Sequence, residues 1–299
     1  MKTFIFTDIT ADIPKNKKYE DFEILPFSLS VDDDHYDNIT TSISNKDFYN
    51  RMRKGAKAST SMINQVLLKD SIEEKLKAGY DVLYLCFSSA LSGTYNVAMM
   101  VQRELKELYP NNKIAVVNSL NASIGEGLFV HYVVKKRDEG AEFNELVEYA
   151  EDIKNHVCSY FTVDDLKHLA RMGRVSKTAA FVGELVQIKP VLYVNALGEL
   201  VPITKVKSRK KSIKALADKM EEKMLDVKEQ DLIYIGHGDC EDDAKFLANE
   251  IQSRFDNKLN IEIDYIGPVI GAHTNAGVVA VFFLGTDKKE AKDARVCNK

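Results

Sequence analysis

One pattern comes back three times along this chain and restricts its fold more than any other feature: an apolar or extended run, a turn of small polar residues, then apolar residues at helical spacing. The clearest copy occupies residues 82–100. Val82, Leu83, Tyr84, Leu85, Cys86 and Phe87 run without polar alternation, as a strand buried on both faces of a parallel sheet does. Ser88, Ser89, Ser92, Gly93 and Thr94 follow, after which Val97, Val101, Leu105 and Leu108 fall on one helix face. Ser59, Thr60 and Ser61 stand ahead of Leu67, Leu68 and Ile72, and the strand read over Lys113 to Val117 leads through the polar stretch 118–127 into another helix. Repeated strand-helix units predict an α/β domain with a parallel sheet and ligands in the crevice outside the carboxyl ends of the strands.

Such turns also sit at helix amino ends, where free N–H groups and the helix dipole favour an anion. Ser92 supplies a rotatable donor and Gly93 allows close backbone approach, although a plain helix cap explains an isolated Ser-Gly-Thr as well. The cluster Ser59, Thr60 and Ser61, read as a helix start, has more hydroxyls than one cap needs. Asp8, Thr10 and Asp12, after a first strand over residues 3–7, read as turn chemistry. The triplet Asp32, Asp33, Asp34 lacks the alternate ligands and closing Glu of an EF-hand, so no metal is expected.

Beyond a helix read over residues 143–157 the pattern changes. Two short helices broken at Gly173 precede strand runs 188–195 and 200–207, which join across Gly198 as a hairpin. Helices over 210–224 and 241–255 then alternate with strands over 231–236 and 261–266, and a glycine-rich loop carrying His273 leads into a last buried strand. The reading is α/β throughout: residues 1–157 form the parallel-sheet domain and residues 158–299 a mixed α/β domain.

With 41 basic and 45 acidic residues the net charge is -4, so no global positive field exists to hold nucleic acid. Lys205, Lys207, Arg209, Lys210, Lys211 and Lys214 form a local basic stretch that reads as a solvated face. Cys86, Cys158, Cys240 and Cys297 are too far apart for a CxxC pair and suggest reduced thiols. The amino terminus reaches Asp8 before a signal-peptide core could form, and no apolar run would span a bilayer, so a cytoplasmic protein without an integral membrane segment is expected. There is no GxSxG around Ser92, no Walker sequence, no HExxH and no complete GxGxxG. Hydroxyls at helix starts, Arg171, Arg174 and one histidine remain, a set that binds an anion better than it transforms one.

TDITAD, the pair Thr60-Ser61, SSALSGTYNVA, VVNSLNASIGEG, RMGRVS, IKPVL, HGD and IGPVIGAHT together resemble the DegV family of bacterial fatty-acid-binding proteins over residues 3–285. The resemblance implies two domains with a lipid site between them, a long-chain fatty acid as ligand and no cofactor. It implies that Thr60 and Ser92 hold the carboxylate with Ser61 beside them and His273 nearby, and that Arg174 serves the phosphorylated product or the partner. That partner would be an ATP-dependent fatty acid kinase subunit, which makes acyl-phosphate for phospholipid synthesis. Here Met62-Ile63 follow the Thr-Ser pair where the family often has Gln-Pro, Asn275-Ala276 follow His273-Thr274, and Lys207 replaces a common second arginine. Lysine keeps the charge but loses the planar fork. The competing readings are a hydrolase or acyltransferase with Ser92 as nucleophile and His273 as base, and a sugar-phosphate or nucleotide binder.

Overall fold

The computed structural model describes residues 1–176 and 188–289. The second helix expected after Gly173 falls outside the described residues for most of its length, and so does Cys297. The other three cysteines form no disulfide among the described residues.

Four strands, β1 (Thr3–Asp8), β2 (Phe22–Leu25), β6 (Asp81–Cys86) and β7 (Ile114–Asn118), form an all-parallel sheet in the order β2-β1-β6-β7. β6 is buried along its whole length, and the strand's two-residue repeat divides its side chains between two cores. Val82, Tyr84 and Cys86 meet α2 (Gln65–Lys77) and α3 (Thr94–Leu108). Leu83, Leu85 and Phe87 turn the other way, onto α4 (Ile124–Asp138).

A six-stranded mixed sheet follows, ordered β10-β9-β8-β13-β11-β12, with β8 (Val157–Thr162), β9 (Ile188–Val194), β10 (Leu200–Lys207), β11 (Ile233–His237), β12 (Ile261–Tyr265) and β13 (Val279–Leu284). β9 and β10 form the expected hairpin, and only β11 and β12 pair in parallel. In β13, Val279, Val281 and Phe283 face α7 (Arg209–Lys223) and α8 (Glu241–Arg254). Ala280 and Phe282, with Val278 just before the strand, face α4 and the parallel-sheet half. α4 is thus the shared wall of both halves, and one apolar cluster runs continuously from Ile5 and Leu83 to Phe282.

Four local expectations give way to other structure. Ser59 and Thr60 end the short strand β5 (Ala58–Thr60), which pairs with β3 (Leu29–Val31) and through it β4 (Asp34–Tyr36) in a small antiparallel sheet; α2 is capped by Asn64, whose side chain accepts from Val66 and Leu67 N–H. The polar stretch expected to run to Gly127 is helical from Ile124, and its glycines stand where α4 packs too closely on its neighbours for side chains. A Cβ on Gly125 would lie 2.6 Å from Ser159 Oγ and 2.8 Å from Phe282. His273 belongs to the helix α9 (Pro268–Thr274), opened by a proline at its first position, rather than to a loop. The helix expected to reach residue 157 ends as α5 (Phe143–Ile153), since Val157 already begins β8.

The aspartate triplet is held by an arginine. Arg51, on α1 (Asn45–Arg53), bonds Asp34 at 2.6 Å and Asp32 at 3.2 Å.

Candidate functional site

Three chain segments meet over the carboxyl end of β6: the end of β5 with Thr60, Ser61 and Met62, the β6–α3 turn with Ser89, Leu91, Ser92 and Gly93, and α9 with Val269, Ile270 and His273. Thr10 and Arg174, the latter following α6 (Leu166–Arg171), complete the cleft. Five of the six residues singled out in the sequence, Thr60, Ser61, Ser92, Arg174 and His273, therefore line one cleft. Lys207 does not. It is exposed at the last position of β10, opposite Ile188, and is not among the residues lining the cleft.

Each key hydroxyl is backed by a second group. Thr60 Oγ1 lies 2.8 Å from His273 Nε2. Ser92 Oγ lies 2.9 Å from Thr94 Oγ1 and accepts from Thr94 N–H at 3.2 Å, while Thr94 Oγ1 accepts from Ile63 N–H at 3.5 Å. A hydroxyl has one proton and two acceptor lone pairs. If Nε2–H of His273 donates to Thr60, and the Thr94 hydroxyl donates to Ser92, the protons of Thr60 and Ser92 are both left to point into the cleft. Burial, with Arg174 and His168 nearby, lowers the His273 pKa from 6.5 to about 4, so the ring is neutral at ordinary pH. Its Nδ1 has no partner among the described residues.

The serines of the turn have separate tasks. Ser88 is buried and donates to Gly198 O at 2.9 Å, tying the turn to the β9–β10 hairpin. Gly198 is required there twice, by its φ of +79° and because a Cβ would stand 2.2 Å from Ser88 Oγ. Ser89 Oγ accepts from Asn118 at 2.7 Å.

Arg174 is the cation of the cleft. It donates to Met172 O at 3.0 Å, has no carboxylate partner among the described residues, and burial lowers its pKa. A desolvated guanidinium without a counter-ion is costly, and an anion entering from outside removes that cost.

Beneath the cleft lies an apolar cavity, sharing Phe87, Leu91, Arg174, Ile270 and His273 with it and continuing between Phe161, Val194, Leu200, Ala280 and Phe282. It is narrow, with a volume of about 60 Å³, on a scale where one water needs roughly 10–15 Å³. The arrangement suits one molecule with an anionic end and a thin apolar body. It does not pair Ser92 with His273 as nucleophile and base, because His273 is bonded to Thr60 and Ser92 to Thr94.

Thr10 and Asn96 also line the cleft and were not picked out as ligand contacts in the sequence. Thr10 stands in TDITAD, where turn chemistry is a sufficient explanation of the side chain.

Residues 2–286 match the profile of the family described as "Uncharacterised protein, DegV family". A DegV domain-containing protein of Clostridium perfringens is 46% identical over 97% of this chain and 100% of its own length. Among solved structures, the fatty acid binding DegV family protein of Streptococcus agalactiae is 29% identical with a TM-score of 0.84, covering 96% of this chain and 100% of that one. DegV of Bacillus subtilis, described as a fatty acid binding protein, is 26% identical with a TM-score of 0.81, over 96% and 100% of the two chains.

Proposed function

The chain belongs to the DegV family, and from that membership and the geometry of the cleft we propose that it binds a long-chain fatty acid and presents the carboxylate to a separate ATP-dependent fatty acid kinase subunit. The observation that carries this reading is an arginine with no carboxylate partner among the described residues and two backed hydroxyls at the mouth of a narrow apolar cavity. Thr60 and Ser92 donate to the carboxylate, Ser61 and Arg174 flank it, and His273 holds Thr60 with its proton turned toward the ligand.

Each donor to a charged group contributes about 1.5–3 kcal/mol, whereas every buried methylene contributes about 0.8 kcal/mol. The tail dominates affinity, and the head group sets orientation. The carboxylate then lies at the open end, where a second protein can reach it, and the chain catalyses nothing alone. Lys207, away from the cleft on the β10 edge, is assigned to the docked partner or to the acyl-phosphate. Fatty acid kinase chemistry uses ATP, so a cytoplasmic location follows from this reading; no helix among the described residues is long and apolar enough to cross a membrane.

Mass spectrometry of small molecules released from denatured protein, with fatty-acid affinity of Thr60→Ala and Ser92→Ala, tests the proposal. A long-chain acid should be recovered, and each variant should lose about 1.5–3 kcal/mol of binding. No acyl species from repeated preparations, or a covalent acyl adduct on Ser92 after exposure to an activated acyl ester, would replace it with the hydrolase reading.

A further inference from the structure

Under Thr10, at the floor of the cleft, two carboxyl groups share one buried pocket with no cation between them. Asp8 and Glu126 are wholly excluded from solvent and Thr10 nearly so. Asp8 is ringed by donors: Phe87 N–H at 3.2 Å, the Tyr84 hydroxyl at 3.1 Å and Thr10 N–H at 3.1 Å. The Thr10 hydroxyl also touches Asp8 Oδ1, and it lies 2.8 Å from Glu126 Oε2. Glu126 Oε1 has no hydrogen-bond partner among the described residues.

One hydroxyl proton cannot serve two carboxylates. Either Asp8 or Glu126 must bring a proton of its own, and Asp8 already accepts from three other donors. Glu126, whose second oxygen has no hydrogen-bond partner among the described residues, the neighbouring Thr7 hydroxyl giving its proton to Leu85 O at 2.9 Å, is the carboxyl that fits the neutral form. Its Oε1 is then a carbonyl oxygen, and its Oε2–H donates to Thr10.

We propose that Glu126 is a positioning residue that works as a neutral acid. Its proton goes to Thr10 and the proton of Thr10 goes to Asp8, which fixes Thr10 and the Phe87 backbone under the ligand head group and keeps the floor at one negative charge instead of two. This rests on reading the cleft as a carboxylate site, because a second fixed negative charge there would repel the ligand. The ionisable groups facing Glu126 are Asp8 from β1, Asp12 just after the 3-10 turn of residues 9–11, and Tyr84 and Cys86 from β6. None is a cation. The residues that β8, β11 and β13 bring to the start of α4, Ser159, Gly236 and Phe282, are uncharged. Burial first, and then the charge of Asp8, push the Glu126 carboxyl well above the usual carboxylate range.

The sign follows directly: ionising Glu126 removes the donor to Thr10 and adds negative charge, so fatty-acid affinity falls on the alkaline side. Glu126→Gln cannot ionise, yet its amide N–H still donates to Thr10. Infrared difference spectra of wild type against Glu126→Gln at neutral pH, and oleic acid affinity of both across pH, provide the test. A deuteration-sensitive protonated-carboxyl band present in wild type and missing from Glu126→Gln is expected, with near-normal affinity in the variant and a flatter alkaline limb. Glu126→Ala should bind roughly 10-fold more weakly, the equivalent of losing one donor. Absence of the band, or alkaline limbs of equal slope, overturns the proposal. The band needs no ligand, so its presence in a protein that binds no oleic acid would remove the carboxylate reading, not the protonation of Glu126.

Discussion

His273 shows how one side chain can be placed by sequence and still be understood only in three dimensions. The resemblance puts it near the head group; the structure adds that Nε2 is held by Thr60 and that the ring is buried beside Arg174. A histidine whose folded pKa is lowered, here from 6.5 to about 4, takes up its proton more readily in the unfolded chain. Acid therefore costs the folded state stability, starting below the ordinary histidine value and levelling off below the folded one. At about 1.4 kcal/mol per unit this amounts to no more than about 3.5 kcal/mol. Asp8 and Asp12 act in the opposite sense, since burial raises them to about 6 and about 7 and the stability they contribute at low pH is lost as pH rises through those values. Their effect is common to wild type and His273→Gln, so it cancels in the difference. Urea titrations of both proteins should show wild type losing ground relative to His273→Gln between pH 6.5 and pH 4; a constant difference would mean that His273 is not held neutral. Thr10 and Glu126 were harder to read, because nothing in a linear sequence shows that residues 116 positions apart are hydrogen-bonded.

At the scale of elements, periodicity was a good guide where burial is one-sided or complete. The unbroken apolar runs in β6 and β13 located both strands, and the Gly198 hairpin appeared where the turn residues put it. Polar small residues misled in both directions. Ser59 to Ser61 resemble a helix start, but cross-strand pairing of Ser59 with Ser30 and Thr60 with Leu29 makes them a strand end. Gly125 and Gly127 resemble a turn, but they are helix positions with no room for a side chain. A Cβ at 127 would be 2.5 Å from the carbonyl oxygen of Ala11, backbone that cannot swing away. Gly125→Ala gains helix propensity yet collides with Ser159 and Phe282, and overpacking of this kind costs about 1–3 kcal/mol. Thermal unfolding should place Gly125→Ala below wild type, while Ala at the open, exposed position 140 is strained through its φ of +97° and not through crowding. A stabilised Gly125→Ala would show that the α4–β13 contact yields more easily than its geometry implies.

For the whole molecule, the decisive feature is that the cavity belongs to neither half alone. Phe87 and Leu91 come from the parallel-sheet half and Phe161, Val194 and Phe282 from the mixed sheet, with α4 packed against both. A change of residue type along the chain could suggest two halves, but not that their apolar cluster is continuous. Further links cross the same divide: Arg53 bonds Asp239, Tyr49 donates to Ile266 O at 2.7 Å, and His131 lies 2.9 Å from Asp231. A long acyl chain in the cavity would touch both halves at once, and a ligand that binds only the native state stabilises whatever it holds together. Hydrogen exchange of ligand-free and oleate-bound protein should therefore show added protection in two separated places: the β6–α3 turn with the start of α3, and β8 with β13. Octanoate, too short to cover the cavity at about 0.8 kcal/mol per methylene, should protect the turn and α9 while leaving β8 and β13 nearly unchanged. If oleate slowed exchange only at the turn, the acyl chain would not occupy the cavity between the sheets, and the mixed sheet would have no part in holding it.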